Sequence, residues 1–204
     1  MPATMMHLLA GHALLPGGSD SFFLGCILPD CLDFDRDRKD LFHLRNVPPE
    51  ERLQALIRLG QSLDLSLDFD FGVLCHLYLD YLWDNGPQKA HRMSYTGDLW
   101  FRDYRKELAS AGNRGAHRFF WARPLWERLR RVDEALFENS MSLPVDEIKK
   151  FMEFNFHFHT EEHLPESEVF TDQVVDAFIR RADRAFRSFL QDFFPQVAKE
   201  RSFA

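Results

Sequence analysis

His76 and Asp80 stand four residues apart inside a run, Asp70 to Trp83, that is otherwise almost wholly apolar. In a helix, four residues is about one turn, so the imidazole and the carboxylate project from one face, one above the other. An ionisable pair buried in an apolar helix is costly unless something compensates it. A bound divalent cation does so, because it takes a neutral imidazole nitrogen and an anionic oxygen as ligands. A simple His–Asp hydrogen bond in a core is the plainer alternative, and this stretch alone does not separate the two.

Three further residues share that setting, a polar side chain among apolar neighbours. His7 follows Met5-Met6 and precedes Leu8-Leu9, Asp30 follows Pro29 at the end of an apolar segment, and His43 sits in Leu41-Phe42-His43-Leu44. Three imidazoles and two carboxylates suit Zn²⁺ or another borderline divalent ion, and they are enough for one closed site or for two ions sharing a carboxylate. The remaining candidates read more plainly. His12, five positions from His7, is poorly placed to share its face and is at best an outer partner. His157, His159 and His163 read as surface histidines, and Cys26, Cys31 and Cys75 as buried thiols beside the proposed ligands. The run Asp33 to Asp40 alternates aspartates with basic residues but has neither the glycine nor the terminal glutamate of an EF-hand, so it reads as a solvated loop.

The elements that must position these residues are helices. Short helices are expected over Met5 to Leu15 and Phe22 to Leu28, the latter capped by Ser19 or Asp20 and stopped at Pro29. An amphipathic helix from Pro48-Pro49 to about Leu63 precedes the central helix, which Asn85-Gly86-Pro87 should end. Further helices are expected over about Asp98 to Ser110, His117 to Arg131 with a kink at Pro124, Pro144 to His163 and Ser167 to Phe194, with a turn at Gly112 to Gly115 between the first two. No stretch alternates with period two, which predicts an all-α, single-domain multi-helix bundle spanning residues 1–204.

With 204 residues the chain can bury a core without disulfides, and its three cysteines lack any Cys-x-x-Cys spacing. The net charge of −7 argues against a nucleic-acid or anionic-membrane surface as the main partner. The basic stretch Arg123 to Arg131 is interleaved with Glu127 and followed by Asp133 and Glu134, as a solvated helix face would be. No apolar run reaches the ~20 residues a membrane span needs. The apolar start lacks a basic leader region, so a reduced, cytoplasmic setting is expected.

The order of these residues resembles a known family. Met5-Met6-His7, Phe23-Leu24-Gly25 leading to Pro29-Asp30, Phe42-His43 and Leu74-Cys75-His76-Leu-Tyr-Leu-Asp80 are similar to motifs of the zinc-dependent phospholipase C family and of related all-α, P1-nuclease-like hydrolases. The resemblance covers about the first 85 residues. It implies that His76, Asp80, His43 and Asp30 hold a first metal, while His7 and Asp80 begin a second. Family members also carry a later His followed by His-x-x-x-Glu for a third zinc. Here His91 is followed four residues on by Tyr95 and His117 by Trp121, so that set is missing.

The expected activity is metal-dependent hydrolysis of a small-molecule phosphoester, in particular a phosphodiester, with one or two divalent ions. Such an ion lowers the pKa of bound water from about 16 towards 7, giving hydroxide at neutral pH. Asp30 is the candidate catalytic residue, as a ligand or as a base orienting that water. The alternatives are a non-catalytic metalloprotein with a structural or sensory site, and a metal-free helical module in which the same residues are hydrogen-bonded. The sequence leaves oligomeric state open.

Overall fold

A computed structural model describes residues 3–132 and 141–201, and of Asp33 and Phe34 the backbone alone. Among the described residues every regular element is helical, as the absence of period-two patterning predicts.

The centre is α5, Asp68–Trp83, whose residues are buried nearly all the way round. A helix apolar on every side must be enclosed by others. Its closest partner is α2, Asp20–Ile27. The two backbones touch at Gly25 and Gly72: a Cβ on Gly25 would run into the Phe69 carbonyl oxygen, and one on Gly72 into that of Phe22. Ser19 caps α2 through its side-chain oxygen, which accepts from the Phe22 N–H at 3.2 Å, and its hydroxyl donates to Asp68 at the start of α5. The two helices therefore begin together and stay in register. α1, Thr4–Leu14, crosses both, with Gly11 against Cys26.

After α2 the chain tightens into a 3₁₀ stretch, Leu28–Phe34, with Pro29 in its first turn, where a missing N–H is tolerated. The charged run expected as a loop instead forms α3, Arg36–Phe42, because Asp35 caps it by accepting from the Arg38 N–H at 3.0 Å. α3 ends in a Schellman turn: Leu44 N–H bonds the Leu41 carbonyl at 3.1 Å and Arg45 N–H the Asp40 carbonyl at 2.8 Å. Leu44 fills the left-handed position, φ 56°, that glycine usually takes. This turn folds α3 back over the 3₁₀ stretch and fixes His43.

α4, Arg52–Ser62, is amphipathic, with Ala55, Leu56, Ile57 and Gly60 turned to the core. Asn85-Gly86-Pro87 does not end the central helix cleanly. Its last carbonyls run into a π turn, Asp84–Gln88, and a short α6, Lys89–Ser94. α7, Trp100–Arg118, passes straight through the glycines expected to form a turn. Gly112 and Gly115 serve close packing instead, since a Cβ would lie 2.8 Å from Ala3 Cβ and 2.9 Å from Leu9 Cδ1 respectively. α8, Ala122–Leu129, holds Pro124 in its first turn, so no kink is needed. α9, Val145–Thr160, and α10, Asp172–Phe193, close the bundle, followed by α11, Pro195–Glu200. Arg118 reaches both Asp172 and Asp176, and Arg114 pairs with Asp172, tying α7 to α10. Among the described residues no helix is long and apolar enough to cross a membrane.

Candidate metal centre

Asp80 is the hub. Its Oδ1 lies 3.4 Å from His7 Nε2, and its Oδ2 lies 3.0 Å from His43 Nδ1 and 3.7 Å from His76 Nε2. α5 supplies His76 and Asp80 one turn apart, α1 brings His7 across α5, and the Schellman turn presents His43. His7 and His76 stack with ring centroids 3.8 Å apart, and His43 meets His76 edge-on at 5.1 Å. His7 and His76 are wholly buried, and Asp80, Asp30 and His43 nearly so. All five residues singled out in the sequence meet in one place, in two overlapping sets whose ligand atoms lie within 4.8 Å of one another: His7, His76 and Asp80, and Asp30, His43 and His76.

The hydrogen bonds show what this cluster lacks. The nearest partner of His76 Nδ1 is the Cys26 carbonyl at 2.8 Å, which can only accept, so Nδ1 carries the proton and Nε2 presents a lone pair. Burial lowers the His76 pKa to about 4, so at neutral pH no second proton occupies Nε2. That lone pair faces a carboxylate oxygen. His7, also lowered to about 4 by burial, has no hydrogen-bond partner on either nitrogen. His43 lies between two acceptors, Asp80 Oδ2 and the Pro29 carbonyl at 3.2 Å, while burial holds its pKa well below the usual imidazole range. A neutral ring has one proton for the two. The buried atoms without a hydrogen bond include His7 Nε2, His76 Nε2 and Asp80 Oδ1, the atoms of the first set. Buried polar atoms are normally satisfied. A cation bonded by these three atoms would satisfy all of them, and a neutral His with its other N–H fixed by a backbone carbonyl is the arrangement metal-binding histidines take.

Asp30 is organised differently. Lys39, on α3, is buried with it, its ammonium 3.3 Å from Asp30 Oδ1 and donating to the Asp30 carbonyl at 3.2 Å. Burial alone would raise the Asp30 pKa, but Lys39 first and then the three histidines hold the carboxyl well below its ordinary value. Asp80 goes the other way: burial pushes it up to about 6, with the nearby His76 working against the rise. One carboxylate therefore has its counter-charge and the other does not. Lys39 escapes a reading of the sequence because it lies in a charged run. Its one signal is position, four residues before His43.

The remaining histidines do not join the cluster. His12 stacks on Trp121, centroids 3.8 Å apart. His157, expected at the surface, is exposed between Glu153 and Glu161. His159 corrects the expectation: it is buried beside Trp126, and burial lowers its pKa to about 3. The three cysteines are buried, and none is in a disulfide. Within the basic stretch expected to be solvated, Arg128 pairs with Asp20 and Arg123 with Glu127, while Asp133 and Glu134 lie outside the described residues. No family model, curated protein or solved structure matches this chain.

Proposed function

We infer that the protein is a metal-dependent hydrolase of phosphodiesters, with one divalent ion, zinc or another borderline metal, held by His7, His76 and Asp80. The observation that carries the metal is the His76 Nε2 lone pair set against the Asp80 carboxylate, with His7 Nε2 and Asp80 Oδ1 beside it, buried and without a hydrogen bond. His76 has one nitrogen to give, since Cys26 occupies the other. That favours one ion over two. Three protein ligands would leave a bound divalent ion a position for water or substrate, as in catalytic rather than structural sites.

Charge selects the substrate class. Asp30 and Lys39 cancel, and a divalent ion on Asp80 leaves the centre with one net positive charge. A phosphodiester carries one negative charge and matches it. When bound, the ion supplies Lewis acidity, polarising a phosphoryl oxygen and making water more acidic. The chain's own residues do the rest. His43 sits at hydrogen-bond distance from Asp80 and fixes the carboxylate. Asp30, kept ionised by Lys39, is a weak base that orients water by accepting from it. Lys39 acts through Asp30, whose carboxylate it keeps charged and holds in place across 3.3 Å.

Hydrolysis of bis(p-nitrophenyl) phosphate by zinc-loaded protein tests this reading. The expected result is turnover that chelator removes, with Lys39→Met reduced by a factor of about 100, the scale of one lost acid–base group, because Asp30 loses its counter-charge. A loaded protein with no turnover above buffer overturns it. One observation favours a second reading, a structural metal: the ligands are almost wholly buried. That reading expects a metal-bearing protein that loses stability on chelation and hydrolyses nothing.

A further inference from the structure

The corner where α6 turns into α7 does not belong to the metal centre, and its surface is unlike the rest of the molecule. Met93, Leu99 and Phe101 are 79%, 50% and 65% exposed within nine residues of chain. Between Lys89 and Lys106 five lysines and arginines stand against two aspartates, a local excess of three positive charges in a chain of net charge −7. Structure draws these residues to one corner. The Arg92 guanidinium lies over the Trp100 ring, 4.7 Å from its centroid, which clamps α6 to the first turn of α7. Tyr95 donates to Asp103 at 2.5 Å across the intervening loop, tying the loop down, and Arg102 Nε lies 3.0 Å from the same carboxylate, which leaves Lys89, Arg92, Arg105 and Lys106 against Asp98. On α7, Phe101 lies at the edge of the buried face, and Arg105, Arg102 and Lys106 follow it around the exposed arc. The corner therefore exposes three long apolar side chains with arginines and lysines near them.

We propose that this corner docks the protein on the surface of an anionic lipid bilayer. Three separated apolar side chains are too few for a protein interface, which needs about 800 Å² on each partner. They are enough to enter the headgroup boundary if basic residues hold the protein there, the pairing of signals that peripheral proteins use. Each basic residue near an anionic surface strengthens binding by about fivefold. The contact is peripheral, and it concerns a face of the protein the sequence alone assigned no role. The corner also adjoins the end of the helix that carries Asp80, since Trp83 Nε1 donates to the Tyr104 hydroxyl in the second turn of α7 at 2.9 Å.

The test is flotation of the full chain with vesicles of phosphatidylcholine alone and of phosphatidylcholine with phosphatidylserine, each with and without chelator. Chelator separates this proposal from the metal reading, because docking needs no ion in the centre. The expected result is binding to the anionic vesicles, unaffected by chelator and weakened at high salt. Met93→Ser combined with Phe101→Ser, and separately Arg102→Gln combined with Arg105→Gln, should each lower it tenfold or more. All four residues are exposed, so the helical circular dichroism should not change. Equal binding to both vesicle types, or variants that bind as the wild type does, overturns the proposal. So does a concentration-dependent dimer that Phe101→Ser abolishes in a protein that ignores vesicles, which would give the corner to a second copy of the chain.

Discussion

At the residue scale, the centre is defined by a buried lone pair that faces a carboxylate. Asp80 faces three imidazoles that burial keeps neutral, and the bond from His76 to the Cys26 carbonyl decides which nitrogen is left bare. Asp80→Asn should abolish metal binding while leaving the helix intact, because an amide can still accept from His43 but carries no charge for the ion. Retention of full metal content in this variant, measured by elemental analysis, would contradict the assignment. The five residues of the cluster were legible in the sequence for a physical reason: each is a polar group in an apolar segment, where burial has to be compensated. Lys39 and His159 were not, because each has polar neighbours in the chain and is buried by packing between distant elements.

At the element scale, glycine is the informative residue. Gly25 and Gly72 set the approach of α2 to α5, and through it the distance from the Cys26 carbonyl to His76. Gly72→Ala should cost about 3 kcal/mol in urea unfolding, because the added carbon meets backbone, which cannot yield as a side chain can. Gly17→Ala, with nothing within 4 Å of the new carbon, should stay within about 0.5 kcal/mol. Equal effects of the two would contradict the close-packing account. The helical class and the positions of α1, α2, α4 and α5 followed from apolar runs, the amphipathic spacing of α4, the Ser19 cap and the Pro-Gly breakers. Gly112 and Gly115 read as a turn because a glycine that permits close approach and one that permits a bend look alike in sequence, and α1, the helix packed against them, lies about a hundred residues away. The charged run that becomes α3 was missed because one aspartate cap outweighs its loop-like composition.

At the scale of the whole molecule, the buried histidines couple folding to pH. In the metal-free protein His7 and His76 titrate near 4 and His159 near 3, against 6.5 for an ordinary imidazole, and His43 is also lowered. Between 6.5 and 4 the unfolded chain therefore binds more protons on these groups. Their contribution to stability is complete above 6.5 and is lost as the pH falls towards 4, at about 1.4 kcal/mol per pH unit per group. Asp80 opposes this, since its raised pKa of about 6 makes the folded state the better proton binder between 6 and 3.8. Four imidazoles outweigh one carboxylate. The unfolding temperature of chelated protein should be lower at pH 5 than at pH 7; an equal or higher value at pH 5 would show that these histidines are not held neutral in the fold.

The most direct test of the metal centre is the metal content, by elemental mass spectrometry, of wild type and His76→Ala, both purified without chelator or a nickel column. About one equivalent of a divalent transition metal in the wild type, lost in the variant, is the expected result for a site with three protein ligands. A wild type that carries no metal and takes up none on reconstitution would contradict the central claim and leave the cluster as hydrogen-bonded core.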